Sequence, residues 1–415
     1  MGKQNRRRRT GRRAVPNPAV LLDADALADP VRIAEGVATA AAQDDAAGTR
    51  RFVDQLAGSG QLSAAVTEGV ELASRRLLAH AVEHGWLPDD LHQAARRRLD
   101  TFALAYLTDL MAVHRAGLAA DAVDETWRAQ LDALGATVWW TGPHLPAWAD
   151  RALLTADEAM TAVVRTLSLL LRLPRLAPGR TLPGAPRRGG APTRHVDEKT
   201  LGRVRGLLAK AESTAFPEEA ETLSAKAQEL MTKYAIDRVL LSATAAEPDP
   251  PTARRIWLDT PYTDAKALLV DQVARANRCR AIFVADWGFV TVVGDEPDLD
   301  AVDLLATSLL VQATRTMIET AADTEESRTR AYRKAFLTAY ATRIGDRLTT
   351  AAATTVAESP SPSTLLPLLA THDHRVERAF ATYFPTTRTR GITLRSAEGW
   401  AAGTQAADQA HLDRA

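Results

Sequence analysis

The chain has 415 residues, 46% hydrophobic and 25% charged, and its 51 basic and 51 acidic side chains cancel to a formal net charge of zero. That balance excludes a body that is polycationic or polyanionic throughout, so any polyanion binding must come from local clustering. The single cysteine, Cys279, excludes an internal disulfide and a thiolate zinc cluster and points to a reducing cytosol.

Residues 1–20 form a basic arm. Lys3, Arg6, Arg7, Arg8, Arg9, Arg12 and Arg13 occur with no acidic residue among them. Like charge at this density, with nothing apolar to bury, predicts disorder. From 21 to 175 the pattern is helical. Ala65, Val70, Leu72, Leu77, Leu78 and Val82 form a broad apolar stripe across 61–84. Gly85 then falls where a left-handed cap belongs, Pro88 opens the next helix, and Asp89 and Asp90 complement its dipole. The segment GWLPDDL therefore predicts a tight helix–turn–helix corner plugged by Trp86. One long helix is expected from there to about His114, and another over 146–173.

The Pro- and Gly-dense stretch 176–195 reads as a linker and the clearest domain boundary. Residues 196–242 follow as a helical hairpin. Leu201, Val204, Leu207, Leu208 and Ala211 keep a three-four spacing, and Pro217 restarts the pattern with Glu218 and Glu219 in its first turn. Ala220, Leu223, Ala227, Leu230, Met231 and Tyr234 then continue it. Two such helices bury little surface alone, so the pair is expected to pack against something else.

Residues 243–253 form a second linker, and 254–415 read as an α+β domain. Strands are expected at 256–258, 281–285 and 289–293, the last two paired across Asp286, Trp287 and Gly288. Helices are expected at 264–276, 298–322 and 325–356. The predicted fold class is mainly α: an N-terminal helical domain, a central helical hairpin, and a C-terminal α+β domain with a small sheet. No run approaches the roughly 18–20 apolar residues of a membrane span, and no apolar stretch follows the charged start as a secretory signal requires. The expected location is cytoplasmic, with no membrane partner.

The segment RVRGLLAKAESTAFPEEAETLSAKAQELMTKYAID, residues 203–237, resembles the bacterial family known as domain of unknown function 2786. The resemblance lies in the leucine-rich first helix ending in Lys-Ala-Glu-Ser-Thr, the Pro-Glu-Glu-Ala start of the second, and the Ala-Gln-Glu-Leu-Met run before a tyrosine. GWLPDDL, FVTVVGDEPDLDAVDLLATSLLVQATRTM, AYRKAFLTAYATRIGDRL and GWAAGTQAAD are similar to segments of longer actinobacterial members. The resemblance implies kinship over most of the chain and carries no activity, cofactor or site residue.

Several constellations bear on chemistry. His80, Glu83 and His84 form H-x-x-E-H, in which two histidines one helical turn apart can share a metal with the glutamate as base. The structural alternative is a helix end, where histidine suits the negative dipole pole. His372 and His374 alternate as strand ligands do, or begin a polar helix. Gly294, Asp295, Glu296, Asp298, Asp300 and Asp303 cluster where a strand runs into a helix, as magnesium ligands or as acids serving first-turn amides behind Pro297.

Arg328, Arg330, Arg333, Lys334, Arg343 and Arg347, interleaved with Phe336 and Tyr340, suit nucleic acid if the aromatics are exposed and a solvated face if they are core. Gly399, Gly403 and Ala407 recur every four residues, which permits close helix approach, with Trp400 as a packing anchor. Cys279 has no identifiable base beside it.

Two function classes follow. The first is a non-enzymatic nucleic-acid-associated or scaffolding protein, whose contacts are Arg6, Arg7, Arg8, Arg9, Arg12 and Arg13 of the arm, basic residues of the linker, and Arg333 and Arg343. The second is a metal-dependent hydrolase using His80, Glu83 and His84 or the acids 295–303. No cofactor is expected, the metal of the second class aside.

Overall fold

The computed structural model describes residues 21–409, apart from positions 44, 59, 120–122, 124, 177–193, 215–216, 243–249, 321–324 and 389–390. The basic arm, with Arg6 to Arg13, therefore lies outside the described residues, as does most of the first linker. The chain divides into two compact units, Met1–Arg175 and Leu176–Ala415. The fold is mainly α, with one three-stranded antiparallel sheet in the second unit. Among the described residues no helix is long and apolar enough to cross a membrane.

Among its described residues the first unit is helical, with α1 (Pro30–Ala42), α2 (Ala46–Ala57), α3 (Ala64–Glu83), α4 (Pro88–Arg96), α5 (Thr101–Ala116), α6 (Glu125–Ala133), α7 (His144–Arg151) and α8 (Ala156–Arg172). Its core is built on fully buried side chains such as Ile33, Phe52, Leu78, Leu107, Met111 and Leu131. The corner after α3 forms as its residues dictate. Gly85 takes φ 88°, Pro88 opens α4, and Trp86 is fully buried with its indole Nε1 donating to the Pro174 carbonyl at 2.8 Å.

The two long helices expected after it are each broken in two. Asp100 accepts the Ala103 amide at 2.9 Å and starts α5. Thr155 and Glu158 close a capping box that starts α8. In both places a side-chain oxygen satisfies first-turn amides that a continuous helix would have bonded internally, so the chain can break and change direction there.

The second unit contains α9 (Arg194–Ser213), α10 (Pro217–Ser242), β1 (Thr252–Trp257), α11 (Thr263–Ala276), β2 (Arg280–Val284), β3 (Phe289–Gly294), α12 (Glu296–Thr320), α13 (Arg330–Ala357), α14 (Pro362–Tyr383) and α15 (Ala397–Gln409). The strand order is β1–β3–β2, antiparallel throughout, with Ile256 opposite Val290 and Phe283 opposite Val290 from the other side. The central strand β3 is buried along its whole length, which explains why FVTVV is apolar without strict alternation.

The hairpin α9–α10 does not stand alone. Leu201, Val204, Leu208, Ala227 and Met231 belong to the same core as Val270 and Val273 of α11, Val292 of β3, Leu305 of α12 and Phe336 of α13. The small residues of α15 do what their spacing predicts. A Cβ on Gly399 would lie 2.5 Å from the Tyr332 carbonyl oxygen, and one on Gly403 would collide with the backbone of Phe336. The close approach of α15 to α13 depends on both glycines.

Candidate functional site

The turn from β3 into α12 places Asp295 and Asp298 one helical turn apart, and α14 and α10 bring cations onto them. Asp295 Oδ2 accepts from His372 Nε2 at 3.1 Å and from Arg375 Nη2 at 2.6 Å. Asp298 Oδ2 accepts from Arg238 Nη2 at 2.5 Å, and the same guanidinium nitrogen lies 3.8 Å from Asp295 Oδ2. His372 and Arg375 reach the same point because they are three residues apart on one face of α14. Arg238 arrives from the last turns of α10. The cluster thereby ties the hairpin, the strand–helix turn and α14 to one another.

Burial governs its electrostatics. The side chains of His372 and Asp298 are 5% and 7% exposed. Desolvation alone would push His372 down, but its hydrogen bonds to Asp295 and Asp373 and the fields of Asp295 and Asp298 outweigh it and lift the imidazole to about 9. Desolvation raises Asp295 too, yet His372, Arg375 and Arg238 together hold it below the ordinary carboxylate range. Asp298 is more deeply buried, and desolvation keeps it above that range in spite of Arg238. At neutral pH the histidine is therefore an imidazolium donating to Asp295.

The same three side chains, Asp295, Asp298 and His372, offer ligand atoms within 4.8 Å of one another, the spacing of a metal site. The charge arrangement opposes that use. Two guanidinium groups sit at 2.5 and 2.6 Å on the carboxylate oxygens a divalent ion would need. Two further acids of the predicted cluster are also engaged by a cation, since Arg254 of β1 lies 2.6 Å from Asp300 and 3.8 Å from Asp303.

His372 and His374 are neither strand ligands nor a helix start. Both lie in the middle of α14, where His372 is buried and His374 exposed, because adjacent-but-one positions on a helix face different ways. His80 and His84 end α3, with Glu83 its last residue, and their rings meet edge to face at 4.0 Å. Burial, then the neighbouring His80, lowers the His84 pKa. Among the described residues no group of three ligand atoms within 4.8 Å forms around them.

On α13, Phe336 and Tyr340 are core residues rather than a stacking platform. Arg343 pairs with Asp408 of α15 and Arg347 bonds the Ala407 carbonyl, while Lys334 lies 2.5 Å from Asp264. The arginines flanking that face are largely committed to α15. Arg333 is half-buried beside Tyr332.

A different cationic surface is exposed on α9. Helical spacing puts Lys199, Gly202, Arg203, Gly206 and Lys210 on one stripe with no acidic residue among them, and all five are exposed. Arg205 is exposed on the adjoining face. Lys199, Arg203 and Arg205 have no partner among the described residues, and Lys210 lies 2.9 Å from Glu219. A Cβ added to Gly202 or Gly206 would meet nothing within 4 Å. No packing contact explains two glycines there, although each costs a helix roughly 0.5–1 kcal/mol relative to alanine.

The first unit holds a second polar cluster that periodicity does not reveal. Asp109 of α5 lies 3.0 Å from His144 Nε2 and accepts the Trp139 indole N–H at 3.0 Å. Tyr106 stacks on His144 with ring centroids 5.2 Å apart, and Trp140 lies at 4.2 Å. Glu71 accepts the His144 backbone amide at 2.7 Å. The signal was the composition of VWWTGPHLPAW, whose aromatics and histidine return to one point. With His144 4% exposed and enclosed by rings, the cluster fastens residues 138–148 to α3 and α5.

With this geometry in view, residues 199–238 match the family model described as a protein of unknown function, DUF2786. The central hairpin is a DUF2786 region. The match begins at Lys199, the first exposed cation of α9, and ends at Arg238, the guanidinium on Asp298. The DUF2786 region thus contributes both the open cationic stripe and one partner of the buried ionic cluster. No curated protein and no solved structure matches the chain.

Proposed function

We propose that this protein is a non-enzymatic nucleic-acid-binding protein, and that the outer face of α9 is its folded contact surface, assisted by the basic arm. The observation that carries the reading is the α9 stripe. Among the described residues Lys199, Arg203 and Arg205 have no partner, and a Cβ on Gly202 or Gly206 would meet nothing within 4 Å. Such a surface lets a phosphate backbone approach the helix closely while Lys199, Arg203 and Arg205 neutralise it. The opposite face of α9 is anchored in the core through Leu201, Val204 and Leu208, so the contact is held on a rigid element. Arg6 to Arg13 would add attraction independent of sequence. The single thiol, buried and pushed up by desolvation, fits a protein of the reducing cytosol.

Arg333 and Arg343, the sequence-derived candidates on α13, are weaker contacts in this reading because α15 covers the face between them. The hydrolase alternative rests on the spacing of Asp295, Asp298 and His372, with the guanidinium pair counting against it. Stoichiometric divalent metal in the purified protein, lost in Asp295→Ala, would favour it.

The test is binding of labelled single- and double-stranded oligonucleotides to the full chain, to a chain lacking residues 1–20, and to that truncated chain carrying Lys199→Glu, Arg203→Glu and Arg205→Glu. The reading expects the truncated chain to keep measurable affinity and the triple variant to lose it by about a hundredfold. Equal binding by the truncated chain with and without the triple change would remove α9 from the account.

A further inference from the structure

A second site lies elsewhere in this unit. The C-terminal half of α13, residues 362–377 of α14 and the turn between α11 and β2 line an open groove of about 900 Å³. That is the size of a small-molecule pocket. Its walls are aliphatic: Ala352, Ala353 and Val356 from α13 face Leu366, Leu369 and Ala370 from α14, and no aromatic is among the described residues that line it. Leu366 is 57% exposed, a large apolar side chain left uncovered at the opening of a concave surface.

The charged residues lining it come from two elements. Arg275, Arg278 and Arg280 come from the α11–β2 turn, and Asp373 and Glu377 from α14. Arg280 pairs with Glu377 at 2.8 Å, and Arg275 pairs with Asp271 at 2.8 Å. Arg278 has no partner among the described residues. Its backbone is also unusual. With φ 58°, it occupies the left-handed position that ends α11, where the Cys279 amide bonds back to the Ala274 carbonyl at 2.8 Å. Glycine fits that position without strain, and an arginine does not. The strained residue contributes to the aliphatic groove a guanidinium without a partner among the described residues.

We propose that this groove binds an aliphatic monoanion, an unbranched chain ending in a carboxylate, with the chain between α13 and α14 and the carboxylate on Arg278. The absence of aromatics among the described lining residues favours a saturated chain over a base or ring. Arg275 pairs with Asp271, Arg280 pairs with Glu377, and Asp373 lies 3.6 Å from His372 Nδ1, so the positive charge of Arg278 is left over. One carboxylate balances that charge, whereas a dianionic phosphate would meet Asp373 and Glu377. A planar guanidinium matches a carboxylate with two parallel hydrogen bonds.

Calorimetric titration of the full chain with dodecanoate below its micellar concentration tests this, with dodecanol and dodecyl phosphate as comparison ligands. The proposal expects saturable one-to-one binding of dodecanoate, with both comparison ligands weaker by about tenfold or more. Arg278→Gly is the informative variant. It relieves the left-handed strain and should raise the melting temperature while reducing dodecanoate affinity about tenfold and leaving dodecanol unchanged. Arg278→Gln should lose the same affinity without the gain in stability. No saturable binding by the unaltered chain, or equal dodecanoate affinity in Arg278→Gly, would overturn the proposal. Dodecyl phosphate binding as tightly as dodecanoate would also overturn it.

Discussion

The two ends of the DUF2786 region use positive charge in opposite ways. At one end Lys199, Arg203 and Arg205 stand on the outside of α9 with no partner among the described residues, above glycines that pack against nothing. At the other end Arg238 is largely buried on Asp298, inside a cluster that also holds Asp295, His372 and Arg375. The residue types are the same, and what differs is desolvation and the presence of a carboxylate. A buried cation matched to an acid fixes the arrangement of three segments. An exposed cation without one is available to a ligand and contributes little to the fold.

The comparison breaks most visibly at Arg238. Arg238→Ala leaves Asp298 buried without its closest cation and should cost about 3–5 kcal/mol in denaturant unfolding. A loss below about 1 kcal/mol would mean that the cluster ties nothing together.

His372 sharpens the same end through pH. Its folded pKa of about 9 lies above the ordinary 6.5. The stabilisation from protonated His372 should therefore be fully present below about pH 6.5 and disappear as pH rises through about 9, an effect of about 2–3 kcal/mol. His372→Gln should show no such decline between those pH values. Parallel stability profiles for the two proteins would contradict the imidazolium assignment.

The smallest effect belongs to the exposed end and has the opposite sign. Gly202→Ala with Gly206→Ala should stabilise the protein by about 1–2 kcal/mol, because both positions are helical with open space above them. Destabilisation would show that these glycines serve the fold after all.

Much of this fold was legible where local chemistry decides it. Gly85, Pro88 and the acids behind it specify the α3–α4 corner, Pro217 separates the hairpin helices, and Gly399 and Gly403 announce a close helix contact. The breaks at Asp100 and Thr155 were also written locally, as a capping aspartate and a T-x-x-E box, but the apolar periodicity running through them masked the signal. The ionic cluster was half legible. The acids after Gly294 and the histidine at 372 stood out, yet their partners lie 60 to 80 residues away in sequence, and spacing along the chain carries no record of that. The same limit applies to α13. Its arginines and aromatics suggest a binding face until α15, more than 50 residues on, is laid across it.

The most direct measurement is the salt dependence of oligonucleotide affinity for the full chain and for its Lys199→Glu, Arg203→Glu, Arg205→Glu variant, with Arg343→Ala as a control. If α9 is the contact surface, the slope of log affinity against log salt should fall in magnitude by about 2–3 in the triple variant, as roughly that many phosphate contacts are lost. The slope should change by less than about 1 in Arg343→Ala. Equal slopes for the triple variant and the unaltered chain would contradict the account.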